Sequence, residues 1–260
     1  MADAALEAFG ATTWSTLKTQ DGVAYEVYLP EAPEMNRLTL PPDARAEVMH
    51  MPPHDWVSES QQNLPPVRVP PFYLHGSHDK PMPGGWRNIE MQAGLAFGSG
   101  HHGTTQGCLQ AFASMLDGRK PPTRIADIGC GSGTLAIAAA KAGARQIWAS
   151  DVDADAVSVT RSNARLNQVS PQLTVFAAAG MAHPAYYGQQ FGVIFANILA
   201  KPLITLASTF EHHLAPNGTL IISGLLNEQA RSVKARYRAR GLKPRQQIII
   251  GQWTSLALMR

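Results

Sequence analysis

No run of apolar residues in this 260-residue chain approaches the ~18 that a membrane-spanning helix needs. The opening stretch, MADAALEAFG, has acids where a secretion signal would have basic residues. Cysteine is almost missing. The two present, Cys108 and Cys130, fall in a helical pattern and in a glycine loop, which argues against a disulfide scaffold and for reduced thiols. Charge is sparse as well, at 16% of residues against 45% hydrophobic, the balance of an ordinary soluble globular protein. These absences predict a cytoplasmic protein with no membrane partner. The nine histidines show no zinc spacing, and the adjacent His101 and His102 diverge with no cysteine pair to assist, so no metal site is expected. There is no internal repeat.

Acid is missing from one segment in particular. RSVKARYRARGLKPR, residues 231–245, holds seven basic residues and no carboxylate; without it the formal charge of +3 becomes −4. Arg231, Lys234 and Arg238 share one helical side, with Val233 and Tyr237 on another. A solvated outer helix face is the favoured reading, with contact to ribosomal RNA or an acidic partner as the alternative.

Proline, in contrast, is concentrated. Twelve of 19 prolines lie between Pro30 and Pro83, which predicts irregular or extended structure there. Before them, TWSTLKT and VAYEVYL alternate apolar and polar residues around QDG, the pattern of a β-hairpin. The organisation expected is a small N-terminal unit over residues 1–55, a proline-rich linker over 56–93, and a main domain over 94–260. In the last of these, apolar strand patterns at 124–128, 146–150, 173–178, 191–197 and 218–223 alternate with helical ones at 104–116, 133–142, 154–167 and 202–214. Such alternation indicates a parallel sheet covered on both faces. The tail, RQQIIIGQWTSLALMR, reads as a closing antiparallel hairpin.

The stretch DIGCGSG, residues 127–133, follows the first of these strands, at the sheet edge where open α/β folds bind ligands. Its glycines permit a sharp turn and a close backbone approach. Asp151 ends the next strand, twenty residues after Gly131, where a carboxylate can accept both hydroxyls of a ribose. A dinucleotide fingerprint would need its third glycine at position 134, which is Thr134. The glycines at 129, 131 and 133, led by the acid Asp127, suit S-adenosylmethionine better than NAD. An NAD-dependent oxidoreductase would also need a catalytic acid that is not found. Upstream, GLAFGSGHHGTTQGCL, residues 94–109, combines glycines and an aromatic just before a helix begun by Thr104 and Thr105; a threonine hydroxyl there can serve the cofactor, the helix cap, or both. Asn197 ends the fourth strand but is followed by Ile-Leu-Ala rather than Pro-Pro and an aromatic, which argues against a flipped DNA base as substrate.

Together, DWVSES at 55–60, HGSHD at 75–79, GLAFGSGHHGTT at 94–105, DIGCGSG at 127–133, SDVD at 150–153 and ANILAKPL at 196–203 resemble the bacterial methyltransferases that modify ribosomal protein number eleven of the large subunit. The resemblance implies a class I Rossmann-like α/β fold with a seven-stranded sheet and a small α+β N-terminal domain that grips the substrate. It implies an S-adenosylmethionine-dependent, monomeric enzyme that methylates lysine side chains and an N-terminal α-amine of that protein. Cofactor contacts would fall on Phe97, Thr105, Asp127, Gly129, Gly131, Asp151 and Asn197, with Asn197 also positioning the reactants. The chain departs from the family in its first 50 residues, where the helical portion around EMNRLTLPPDARAEVMH is shortened. Two alternatives stand beside this reading: a methyltransferase for a lysine of another protein, such as an electron-transfer flavoprotein, and a non-enzymatic ribosome-binding factor.

Overall fold

The structure, a computed structural model, describes residues 13–19, 22–28, 66–91 and 102–260. It comprises two compact units, Met1–Asp55 and Trp56–Arg260. The first contains the expected hairpin: β1 (Thr13–Thr19) pairs antiparallel with β2 (Gly22–Tyr28), Thr13 opposite Tyr28 and Thr19 opposite Gly22. The helical portion expected near residues 34–50 lies outside the described residues.

The second unit begins with three short strands, β3 (Val67–Val69), β4 (Phe72–His75) and β5 (Arg87–Glu90), in the order β3-β4-β5. This region was expected inside a proline-rich linker, and the structure makes it part of the core. Pro70 and Pro71 occupy the β3–β4 turn, and Pro81 and Pro83 the β4–β5 connection, so the ladders lose no donor. Val69, Phe72, Leu74 and Ile89 are then free to bury their side chains.

The main sheet follows. Helix α1 (Gly103–Leu116) leads to β6 (Arg124–Ile128), α2 (Thr134–Ala142), β7 (Gln146–Asp151), α3 (Ala154–Leu166), β8 (Leu173–Ala177) and β9 (Phe191–Asn197). Two short helices, α4 (Ala200–Thr205) and α5 (Ala207–His213), stand where one was expected. They meet at Leu206, whose side chain packs over Gly180. Strand β10 (Leu214–Leu226), helix α6 (Ala230–Arg238) and strands β11 (Lys243–Ile250) and β12 (Trp253–Met259) complete the chain.

Seven strands pair in the order β11-β12-β10-β9-β6-β7-β8. Strands β6 to β10 run parallel, and β12 runs antiparallel to both β10 and β11. Gly251, at φ 58, opens the two-residue turn between β11 and β12, a conformation that suits the twist of a tight hairpin.

Period-two alternation divides the core. Ile125, Val193, Phe195 and Ile221 face one side with α1 and α2, while Ala126, Ile194, Ala196 and Ile222 face the other with α4, α5 and α6. Both faces are therefore apolar, as a covered parallel sheet requires. From β6 the chain winds outward through β7 and β8, then returns to β9 on the other flank of β6. That reversal puts the carboxyl ends of β6 and β9 side by side at a topological switch point.

Candidate functional site

The glycine loop leaves β6 at this switch point. Gly129, Gly131 and Gly133 all have positive φ, at 72, 54 and 81 degrees. Glycine is needed at the first for a second reason: a Cβ on Gly129 would overlap the Ile198 side chain, which follows β9. The loop is held from beneath and beside. Gly129 and Cys130 both donate their amides to the Ser150 carbonyl, at 2.8 and 3.0 Å. Thr160 Oγ1 donates to the Gly131 carbonyl (2.8 Å) and Asn163 Nδ2 to the Ser132 carbonyl (2.9 Å). Thr160 and Asn163 are fully buried polar residues in the otherwise apolar stripe of α3, and that interruption is a sequence signal that went unread.

Asp151 reaches the loop from the end of β7. Its Oδ2 accepts from the Gly131 amide (2.9 Å) and its Oδ1 from the Asp153 amide (3.1 Å). A carboxylate has about four lone-pair sites, so both oxygens keep capacity for hydroxyl donors. The next residue, Val152, is 73% exposed, an apolar surface beside the acid that sequence reasoning also missed.

Asp127 differs from its expected role as a cofactor contact. It points to the α1–α2 side, is 1% exposed, and accepts from the Ala136 amide in the first turn of α2 (3.0 Å). It thus fixes the helix behind the loop. Burial first of all, and the charge of Asp151 to a smaller extent, push its carboxyl up to about 7, against the opposing effect of the Ala136 hydrogen bond. Its other oxygen, Oδ1, is buried without a partner.

Thr105 and Asn197 come together although 92 residues separate them, with Asn197 Nδ2 donating to Thr105 Oγ1 at 3.4 Å. Asn197 Oδ1 is buried and has no hydrogen-bond partner. The segment after it is shaped by β10: Gly224 has φ 85, and a Cβ there would overlap the Ile198 carbonyl. Leu199, 71% exposed, lies beyond. Helix α1 is capped by His102, whose Nδ1 accepts from the Thr104 amide at 3.5 Å, rather than by a threonine. Burial lowers the pKa of His102 from its ordinary value, which favours this neutral acceptor form. Phe97 and His101 lie outside the described residues. Among the described residues no three His, Cys, Asp or Glu gather as for a metal, and no helix is long and apolar enough to cross a membrane.

The geometry offers a backbone cradle, a carboxylate beside it and an unpartnered amide oxygen, which fits a nucleoside with a polar tail and an amine. The comparisons identify the family. A family model described as ribosomal protein L11 methyltransferase (PrmA) matches residues 17–260. The ribosomal protein L11 methyltransferase of Rhodopseudomonas palustris (strain BisB5) is 45% identical over 208 residues, 79% of this chain and 70% of the relative. Its namesake in Caulobacter sp. (strain K31) is 41% identical over 208 residues, 79% and 71% of the two chains. The crystal structure of the ribosomal protein L11 methylase from Lactobacillus delbrueckii subsp. bulgaricus superposes with a TM-score of 0.66 at 28% identity, over 75% of this chain and 98% of that one. The sheet order, the loop at its switch point and these matches together make the chain a member of the ribosomal protein L11 methyltransferase family.

Proposed function

We propose that this protein transfers methyl groups from S-adenosylmethionine to amines of ribosomal protein L11, lysine side chains and the N-terminal α-amine. The observation that carries the reading is the unpartnered Oδ1 of Asn197, at the end of the strand that pairs with β6, which feeds the glycine loop. A buried acceptor without a donor is costly, and an amine N–H supplies one. The relatives' names do not favour a lysine of another protein or a non-enzymatic factor.

S-adenosylmethionine, when bound, supplies a methyl made electrophilic by its sulfonium. The residues that would hold it are Asp151 on the ribose hydroxyls, Gly129 and Gly131 along the backbone, Thr105 near its polar end, and Val152 beside the base. Asp127 acts through α2 rather than by contact. Asn197 accepts from the incoming amine and orients its lone pair. A lysine of pKa ~10.4 is neutral in only about one of ~2500 molecules at pH 7, so a site that desolvates the ammonium raises the reactive fraction. The released proton passes to water. Residues 1–55 serve as a substrate-docking unit, and the enzyme works as a cytoplasmic monomer.

Titration calorimetry with S-adenosylmethionine and, separately, NAD tests the cofactor. Binding of the first alone, weakened at least tenfold by Asp151→Ala, is expected; binding of NAD, or of neither, defeats the reading. With free ribosomal protein L11 as acceptor, Asn197→Ala should cut turnover by tenfold or more at saturating cofactor. Unchanged turnover removes Asn197 from the mechanism.

A further inference from the structure

A second concavity, of about 640 Å3, lies between the β3–β4 turn, the later turns of α1 and the edge strand β11. It shares no residue with the glycine-loop site. Ser114, on its wall, stands nine residues beyond Thr105 on the same helix, roughly 14 Å along the axis.

Three arginines line it, Arg68, Arg87 and Arg119, and among the described residues no Asp or Glu does. The ion pairs formed among the described residues include none of the three. Arg68 projects from β3 between buried Val67 and Val69, and the Arg87 guanidinium lies 5.9 Å from the centre of the Phe72 ring. That ring is fixed in turn by stacking on Phe112. Val69, Leu116 and Ile248 supply apolar wall, and the Gln246 amide bridges to Ser114 Oγ at 3.3 Å. The acid nearest in sequence, Asp117, does not line the cavity.

The same sheet edge is basic on its other face. Lys234 on α6 donates to Gln247 of β11 (3.0 Å), whereas the neighbours Gln246 and Ile248 face the cavity. Arg231, Arg236, Arg238, Lys243 and Arg245 are exposed on α6 and β11, again in none of the ion pairs formed among the described residues. Arg236 and Arg240 instead donate to the Ile204 carbonyl and to Ser208 Oγ. Like charges gathered with no acid paired to them among the described residues repel one another, and a concavity focuses their field, so the arrangement is suited to an anion.

Guanidinium forks match phosphate oxygens in pairs. A single phosphate would occupy one or two of these cations, while cations on both sides of β11 match an anion repeated along a chain. RNA carries one phosphate per nucleotide; a peptide of comparable density is itself a self-repelling acidic block. We propose that the arginine groove and the adjoining β11 edge bind the phosphodiester backbone of RNA.

The test is fluorescence anisotropy with a labelled RNA hairpin at several salt concentrations, without methyl donor. Wild type is compared with Arg68→Gln/Arg119→Gln, two exposed positions, after equal melting temperatures are confirmed. The double variant should bind at least tenfold more weakly, with the slope of log affinity against log salt reduced by about 2. Unchanged affinity and slope would overturn the proposal. Displacement of the RNA by polyglutamate as readily as by unlabelled RNA would also overturn it, assigning the groove to an acidic protein. Full methyl transfer by the double variant to free ribosomal protein L11 separates this result from that of the methyltransferase reading.

Discussion

Among the described residues, Asp127 is a buried carboxyl whose proton links this fold to pH. Its folded pKa of about 7 stands above the ordinary 3.8, so between those values the folded chain keeps a proton that the unfolded chain has lost. Its contribution to stability is therefore greatest below about pH 4 and declines as pH rises to about 7. Asp127→Asn keeps an acceptor for the Ala136 amide and removes the titration. Melting temperature plotted against pH should fall less steeply for the variant than for wild type over that window; parallel curves would contradict the assignment. Nothing in the run DIGCGSG marks Asp127 as different from Asp151, because the face to which a strand residue points is set by the helices packed there. Asp151 was legible at the end of its strand, and Asn197 as the end of β9, but the partnership of Asn197 with Thr105 was not.

Among the elements, α3 does more than cover the sheet. Asn167, directly after it, accepts from the Glu90 amide (2.9 Å) and donates to the Glu90 carbonyl (2.6 Å), which pins β5 to the core. Asn167→Ala leaves that backbone pair without a partner, at a cost on the order of 2 kcal/mol. Denaturant unfolding should show the loss, and hydrogen exchange at Glu90 should quicken; a variant as stable as wild type would show that water replaces the side chain. Strand β10 has a matching role at the site. Gly224→Ala forces a Cβ against the Ile198 carbonyl at a φ that disfavours alanine, so it should displace the segment after Asn197. A loss of methyl transfer tenfold or greater, with most of the melting temperature retained, is the expected result. Retained activity would mean that the segment tolerates the shift.

Across the whole molecule, thiol chemistry reports the integrity of the core. Cys108 is fully buried and Cys130 nearly so, and burial pushes both thiols up, further helped by the charge of Asp127. Neither should react with a maleimide in the native state, and both should react in denaturant. Rapid native labelling of Cys130 would show that the glycine loop opens. The sheet that encloses these cysteines is closed by β12, inserted between β10 and β11, and its edge strand β11 borders the arginine groove.

The sequence by itself determined the alternation of strands and helices, the glycine loop, the acid at the next strand end and the closing hairpin. These are written in local periodicity and in backbone angles that glycine alone adopts easily, and neither depends on distant residues. Only the tertiary structure decided that β3–β5 join the core despite their prolines, that Asp127 serves α2, that Thr105 meets Asn197, and that Arg68, Arg87 and Arg119 share one groove. Each of these depends on which faces pack together, and that is fixed by burial between segments far apart in the chain.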